Sequence, residues 1–371
     1  MSDNLDFSNL RILDGLAEYG PRNVTEVARR LDMHPETLRK RLKSLQSKIF
    51  LRLHVSIYHT NLGLKKALII ADAVPGYEDL LFRCLKANGF WIFVGRCYGM
   101  MEGCVAIYTI PKDHCGQFEE FLKELRRVGV ARSLRVYWST CFQGVQAQCK
   151  WFDPEKETWN FQWERWLKEI PREGTELPYT LVEPEYWPVK ADKLDVLILK
   201  ELEKDATISF VELARKLEVS PQLLGYHYRN HLEEKGLIEG FEVTVFHFGR
   251  ENSDFIIFIF NFHNYENLAK FASSLLDKPF VKALGKILGR NTLYGYIYLP
   301  KTEFRNFIDC LSRLIRDGLL RSYQYVFQDL KKSSRQTISY EYFRDGEWIY
   351  NHEEHLHNLH QLIEEERPRH W

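Results

Sequence analysis

A chain of 371 residues with 45% hydrophobic and 14% aromatic side chains is too long for one small domain and too apolar to be disordered. Lys and Arg number 51, as do Asp and Glu, so overall charge names no polyanionic partner and only its distribution can. Seven cysteines without a C-x-x-C pair, no secretory leader and no apolar run of membrane length give the expectation of a reduced, cytoplasmic chain away from membranes.

Residues 5–19 place Leu5, Leu10, Leu13 and Leu16 on one helical face, and Gly20-Pro21 stops that helix. Val24, Val27, Ala28 and Leu31 predict a short second helix, with Asn23 as its cap and Glu26 completing a capping box. After the turn Asp32-Met33, Pro35 fits the first turn of a third helix built on Leu38, Leu42 and Leu45. Two short helices around a tight turn form a helix-turn-helix. The third helix carries Arg39, Lys40, Arg41 and Lys43 off its apolar stripe, where a helix in a DNA major groove needs cations. His34 and Thr37 stand at its N-terminal end, the part that reads bases. The plain alternative is a solvated basic face on a helical hairpin. Phe50 to His59 alternates apolar and polar residues and predicts the strand of a wing.

Strand, helix, strand, strand, helix and strand follow at Lys66–Val74, Tyr77–Asn88, Phe90–Cys97, Cys104–Ile110, Lys112–Val128 and Val130–Phe142, a ferredoxin-like order. An aromatic appendix, residues 151–170, reads as a hairpin feeding a short helix. Residues 171–190, with Pro171, Pro178, Pro184 and Pro188, predict an extended, stiff linker.

The plan then repeats. Residues 209–235 align without gaps to the first helix-turn-helix, with Ser209 against Asn23, Glu212 against Glu26, Ala214 against Ala28 and Pro221 against Pro35. Leu194–Leu202 supplies the preceding helix and residues 236–248 the turn and wing. A second βαββαβ set is predicted at Phe255–Phe262, Tyr265–Leu276, Val281–Leu288, Thr292–Leu299, Thr302–Arg316 and Leu319–Asp329. Residues 341–363 repeat the aromatic appendix, Phe343 against Phe152 and Trp348 against Trp159. The expected fold class is therefore α+β, a tandem duplication of a winged helix-turn-helix followed by a ferredoxin-like domain. The expected boundaries are 1–60, 61–145, 146–190 (tail and linker), 191–248, 249–331 and 332–371 (tail).

The segments LDVLILKEL, VELARKLEVSP and HLEEKGLIEGFEV, with the order of elements after them, resemble the Lrp/AsnC family of feast/famine regulators. That resemblance implies a transcription regulator bound to double-stranded DNA, with a small-molecule effector held at junctions between sensing domains. It implies no catalysis, no cofactor and no metal. It also implies that the two fused sheets pair internally as a pseudo-dimer, with a homodimer as a further level of assembly. The family's Asp in the turn between the second and third sensor strands is missing from GRCYGMMEG and GRNTLYG, which puts amino-acid binding at that place in doubt.

The basic charge is uneven. Between Arg22 and Arg52 stand Arg22, Arg29, Arg30, Arg39, Lys40, Arg41, Lys43, Lys48 and Arg52 against three acids, whereas Lys204 to Lys235 balances five of each sign. In the second copy Gln222, Tyr226, His227 and Arg229 are the candidate DNA contacts; the alternative is a degenerate copy that braces the first. For an effector, Arg96 and Tyr98 at one turn and Arg290 and Asn291 at the other are candidates, two arginines being able to clamp a carboxylate. Loop residues that only shape the turns are the plain alternative. The last helix carries His352, His355 and His360 among Glu353 and Glu354, read as a solvated face. Two other functions stay open: a siroheme-decarboxylase-like enzyme on the same domain plan, with Arg96, Arg290 and His263 available to it, or an architectural DNA-binding protein without a ligand.

Overall fold

The computed structural model describes residues 6–22, 24–48, 51–140, 143–144 and 149–366. Three helices, α1 (Phe7–Tyr19), α2 (Val24–Arg30) and α3 (Pro35–Lys48), lead into β1 (Arg52–Ile57). Then come β2 (Leu64–Ala73), α4 (Glu78–Leu85), β3 (Trp91–Gly99), β4 (Gly103–Pro111), α5 (Cys115–Arg127), β5 (Ala131–Ser139) and the short β6 (Gln143–Gly144). A hairpin of β7 (Phe152–Asp153) and β8 (Thr158–Trp159) precedes α6 (Trp163–Glu169). The second half runs α7 (Lys193–Leu202), α8 (Phe210–Lys216), α9 (Pro221–Tyr226), a π-helical stretch His227–Glu233 and β9 (Ile238–Thr244). It continues with β10 (Ser253–Asn261), α10 (Tyr265–Leu275), β11 (Val281–Lys286), β12 (Thr292–Pro300), α11 (Phe304–Arg316) and β13 (Ser322–Arg335). The hairpin β14 (Phe343–Arg344) and β15 (Glu347–Trp348) and the helix α12 (His352–Glu366) end it. The βαββαβ order expected at both places is present.

The two sheets merge into nine strands in the order β5-β2-β4-β3-β13-β10-β12-β11-β6. The seam is the antiparallel pair β3 and β13, with Cys97 opposite Gln328 and Phe93 opposite Arg335. The ends also meet: Ser139 bridges Ile287, Thr140 N–H donates to Lys286 O at 2.8 Å, and Leu288 N–H donates to Trp138 O at 2.8 Å. The two ends of the sheet thus touch at this place. Alternate strand residues, among them Leu68, Ile70, Val105, Ile257, Ile259, Tyr294 and Val326, form a buried cluster between the two halves. The opposite faces carry separate cores: Phe118, Phe121, Leu122 and Leu125 of α5 pack in one, and Phe307, Leu311 and Leu314 of α11 in the other.

The two helical units also meet. β1 pairs antiparallel with β9, Arg52 opposite Thr244 and Val55 opposite Phe241, so the two expected wings form one ribbon. Arg22 lies 4.3 Å from the Phe210 ring and 5.0 Å from the Tyr228 ring, a cation–π contact between the halves.

The aromatic tails, whose packing partners the sequence leaves open, are exchanged: the first packs on the second half, Trp166 donating to Ser274 Oγ at 3.1 Å and Trp163 to Glu303 at 2.7 Å. The second packs on the first half, Trp348 donating to Leu62 O at 2.6 Å and Asn88 donating to Tyr350 OH at 2.7 Å. The stretch 171–190 is no free spacer, because Leu177 and Leu181 are buried, Val189 bridges Leu62 and Trp187 covers Lys65. The histidines of α12 are not on a solvated face: His355 is fully buried against Phe90, Tyr342 and Tyr350, and burial pushes its imidazole down to about 4. His360 meets Glu124 at 2.6 Å, because α12 lies on α4 and α5.

Candidate nucleic-acid interface

The first helical unit is built as its apolar spacing requires. Asp6 caps α1 by accepting from Asn9 N–H at 2.7 Å. The turn between α2 and α3 is made by Asp32 in the left-handed region at φ 55°, with Met33 N–H donating back to Ala28 O at 2.8 Å. Asn23 lies outside the described residues, and Glu26 pairs with Arg29 and Arg30 at 2.6 and 2.7 Å. The Arg29 hydrogen bonds, then those of Arg30, hold the Glu26 carboxyl down at about 2. These two arginines are thereby partly neutralised.

On α3, Leu38 and Leu45 are buried and Leu42 is half-buried, so the helix packs by its apolar stripe. His34, Thr37, Arg39, Lys40 and Lys43 are exposed. Arg39 meets Glu36 only at 3.5 Å across solvent, a weak pairing that a phosphate can displace. Arg41 is the correction: it turns inward, its Nη1 bonding Asp6 at 2.9 and 3.2 Å and Asn9 at 2.9 Å. It fastens α3 to α1.

In the second unit Glu218 takes the place of Asp32, at φ 57°, with Val219 N–H on Ala214 O at 3.0 Å. Ser209 and Ser220 cap α8 and α9 through Glu212 and Leu223 N–H groups at 3.1 and 3.2 Å. The third helix of this unit, beginning at α9, then departs from α3. The first copy buries Leu38 and Leu45, an α-helical interval, whereas the second buries Leu224, Tyr228 and Leu232, at successive intervals of four. Residues 227–233 adopt a π-helical turn. Gln222, Tyr226 and Arg229 remain exposed. His227 does not: it is buried with Nδ1 2.7 Å from Asp195, out of reach of a phosphate.

The four effector candidates belong to two places. Arg290 and Asn291 line a pocket of about 340 Å³ with Leu177, Val182, Tyr265 and Lys286. Its anion site is already filled by this chain, because Glu183 pairs with Lys286 and accepts from Gly289 N–H at 2.9 Å. Arg96 and Tyr98 line no part of it. Arg96 pairs with Asp79 at 2.5 Å, and Tyr98 stacks on Phe327 with ring centroids 5.5 Å apart. The proposed arginine clamp is therefore not assembled.

A charged cluster that sequence reasoning missed lies where α7 and the β1–β9 ribbon meet the nine-stranded sheet. Glu203 accepts from Ile338 N–H at 2.7 Å, and burial pushes its carboxyl up to about 8. Burial does the same to Glu239, which accepts from Ser56 Oγ at 3.2 Å. Lys282 is driven down to about 7 by burial, and His54 is lowered by burial while its Nδ1 lies 2.7 Å from Glu203 O. Lys66 and Glu242 act on these groups electrostatically, so the cluster shares one space. Polar positions of the β9 strand were visible in GLIEGFEV; Glu203, at a helix end, looked like any surface acid.

Residues 192–239 match the family model described as winged helix-turn-helix DNA-binding. No curated protein matches the chain in sequence. Among solved structures the chain is similar to the siroheme decarboxylase NirDL, with a TM-score of 0.50 and 11% identity over 96% of this chain and 98% of that one. It is also similar over 36% of its length to LrpC of B. subtilis (94% of that chain, 16% identity, TM-score 0.30). A further similar structure is the transcriptional regulator NMB0573 of Neisseria meningitidis, in an L-Met complex (36% of this chain and 89% of that one, 18% identity, TM-score 0.31). The mixed α/β architecture, a winged helix-turn-helix with ferredoxin-like domains, is the full-length fold shared with NirDL.

Proposed function

We propose that the protein is a sequence-specific DNA-binding transcription regulator, built as a fused pseudo-dimer of two winged helix-turn-helix units and two ferredoxin-like domains. The observation that carries this reading is the exposed row His34, Thr37, Arg39, Lys40 and Lys43 on a helix held from behind by Leu38 and Leu45. Such a row supplies phosphate contacts that set affinity and side chains near the N-terminus that can meet base edges. The repeated left-handed turn residue, Asp32 and Glu218, supports descent of both units from one by duplication. The helix-turn-helix match at 192–239 supports DNA as the partner. The reading is tested by mobility shift of the full chain with genomic fragments: a saturable preference for particular fragments is expected, and uniform binding to all fragments would leave only an architectural role.

A second reading rests on the charged cluster around Glu203, Glu239 and Lys282. Half-buried groups whose proton affinities are pushed toward neutrality are common at catalytic sites. Together with the fold shared with NirDL, they favour a siroheme-decarboxylase-like enzyme as the alternative. Stoichiometric binding of siroheme, seen as a shift of its absorbance, without any shift of DNA would decide for that reading.

A further inference from the structure

We propose that Asp192, Asp195, His227 and His231 form a binding site for a divalent transition-metal ion of the zinc class, which fastens the second reading helix to the start of α7. The donor atoms of these four residues all lie within 4.8 Å of one another. His227 Nδ1 is 2.7 Å from Asp195 Oδ1 and 3.7 Å from Asp192 Oδ2; His231 Nδ1 is 2.9 Å from Asp195 Oδ2 and 3.6 Å from Asp192 Oδ2. A tetrahedral zinc ion with ligands at about 2.0–2.1 Å sets its donors about 3.3 Å apart, between these values. Small adjustments of side chains therefore admit the ion.

Three further observations point to a cation at this place. The carboxylates are held by the backbone: Asp192 Oδ1 accepts from Asp195 N–H at 3.0 Å and Asp195 Oδ2 from Asp192 N–H at 2.9 Å. Such outer hydrogen bonds fix ligand orientation. The histidines are brought together by the π-helical stretch 227–233, which stacks residues four apart with ring centroids 4.4 Å from each other. Above all, the first half shows what this joint requires. In the alignment of the copies, Asp6, Asn9 and Arg41 stand where Asp192, Asp195 and His227 stand, and the Arg41 guanidinium bonds both Asp6 and Asn9. The second half has two imidazoles, which carry no fixed charge, facing two carboxylates. Where one half places a permanent cation, the other places two imidazoles that can ligate one.

The donor set selects the metal class, since imidazole nitrogen with carboxylate oxygen favours zinc and its neighbours over calcium or magnesium. Asp195 is fully buried while the Asp192 side chain keeps 51% of its surface, so an ion can enter on that side. As the ion arrives, the Nδ1 proton of each neutral imidazole is exchanged through solvent for one on Nε2, which frees the Nδ1 lone pair without changing the ring's charge. Occupancy would stiffen the helix that presents Gln222, Tyr226 and Arg229.

The test uses the full chain stripped with EDTA and titrated with Zn²⁺ against a chromogenic chelator, with Co²⁺ as a spectroscopic probe. One ion per chain is expected, with the visible bands of tetrahedral Co²⁺. Affinity should fall by at least about 10-fold in His231→Ala. His227→Arg, which installs the side chain of the first copy, should keep the thermal transition and lose the ion, while His360→Ala on α12 should bind as wild type. No stoichiometric uptake by the wild type, or uptake that survives in both His231→Ala and His227→Arg, would overturn the proposal.

Discussion

Trp166→Ala measures how firmly the exchanged tails bind the two halves. Trp166 is fully buried, with ring centroids 6.0 Å from Phe271, 5.8 Å from Phe280 and 6.0 Å from Phe307, all residues of the other half. Truncation removes the indole's transfer free energy and leaves a cavity, together about 3–5 kcal/mol. The lost hydrogen bond adds little, because Ser274 Oγ also donates to Phe271 O at 2.7 Å and stays satisfied. With a urea slope of about 3 kcal/mol per M or more for a chain of this size, the midpoint should fall by roughly 1 M. Hydrogen exchange should show the loosening in α10 and α11, far along the chain from the mutation. By contrast Tyr186→Ala, at a side chain 68% exposed, should change stability by no more than about 0.5 kcal/mol. A loss under about 1 kcal/mol for Trp166→Ala, or loosening confined to the first half, would refute the exchanged packing.

Arg41→Ala should cost about 1 kcal/mol of stability, because it breaks a half-exposed joint with Asp6 and Asn9, and should leave the salt dependence of DNA binding unchanged. Thermal melts and binding titrations separate the two effects. Glu203 is raised to about 8 in the folded state, so the folded chain holds that proton. Its stabilising effect is present at low pH and is lost as pH rises from the ordinary carboxylate range through about 8. Glu203→Gln should therefore raise the melting temperature more at pH 8.5 than at pH 5, on the same account of about 8 for the folded group. An equal shift at both values would contradict the burial assigned to this carboxyl. Gly103→Ala should destabilise by about 1–3 kcal/mol, since its Cβ would collide with the Ala71 carbonyl across the β2–β4 pair.

Much of this architecture is legible in the chain because each element carries its own period. Leu38, Leu42 and Leu45 specify a helix, and the alternation in 52–57 specifies a strand, without help from elsewhere. The likeness of 209–235 to the first helix-turn-helix gave the expectation that the two sheets pair internally. What could not be read was set by partners distant in sequence. Arg41 looked like its neighbours until Asp6 and Asn9 were found beneath it, and His227 looked surface-bound until Asp195 captured it. Local periodicity likewise cannot say which half an aromatic tail will cover, since Trp166 and Trp348 are apolar in either setting. The π turn at 227–233 could not be read either, because the interval Leu224, Tyr228, Leu232 also fits an α-helix. Among the effector candidates, Arg96 and Arg290 occupy similar turns in sequence, yet one turns to Asp79 and the other lines a pocket closed by Glu183.

The central claim concerns α3, and the salt dependence of duplex binding tests it most directly. Full-length wild type and Arg39/Lys40/Lys43→Ala would be titrated into a labelled duplex by fluorescence anisotropy across a salt series. Three lost phosphate contacts should flatten the slope of log K against log salt by about 2.7, so a fourfold rise in salt should weaken the wild type about 40-fold more than the variant. Equal slopes and equal affinities for the two proteins would contradict the assignment of α3 as the helix that meets DNA.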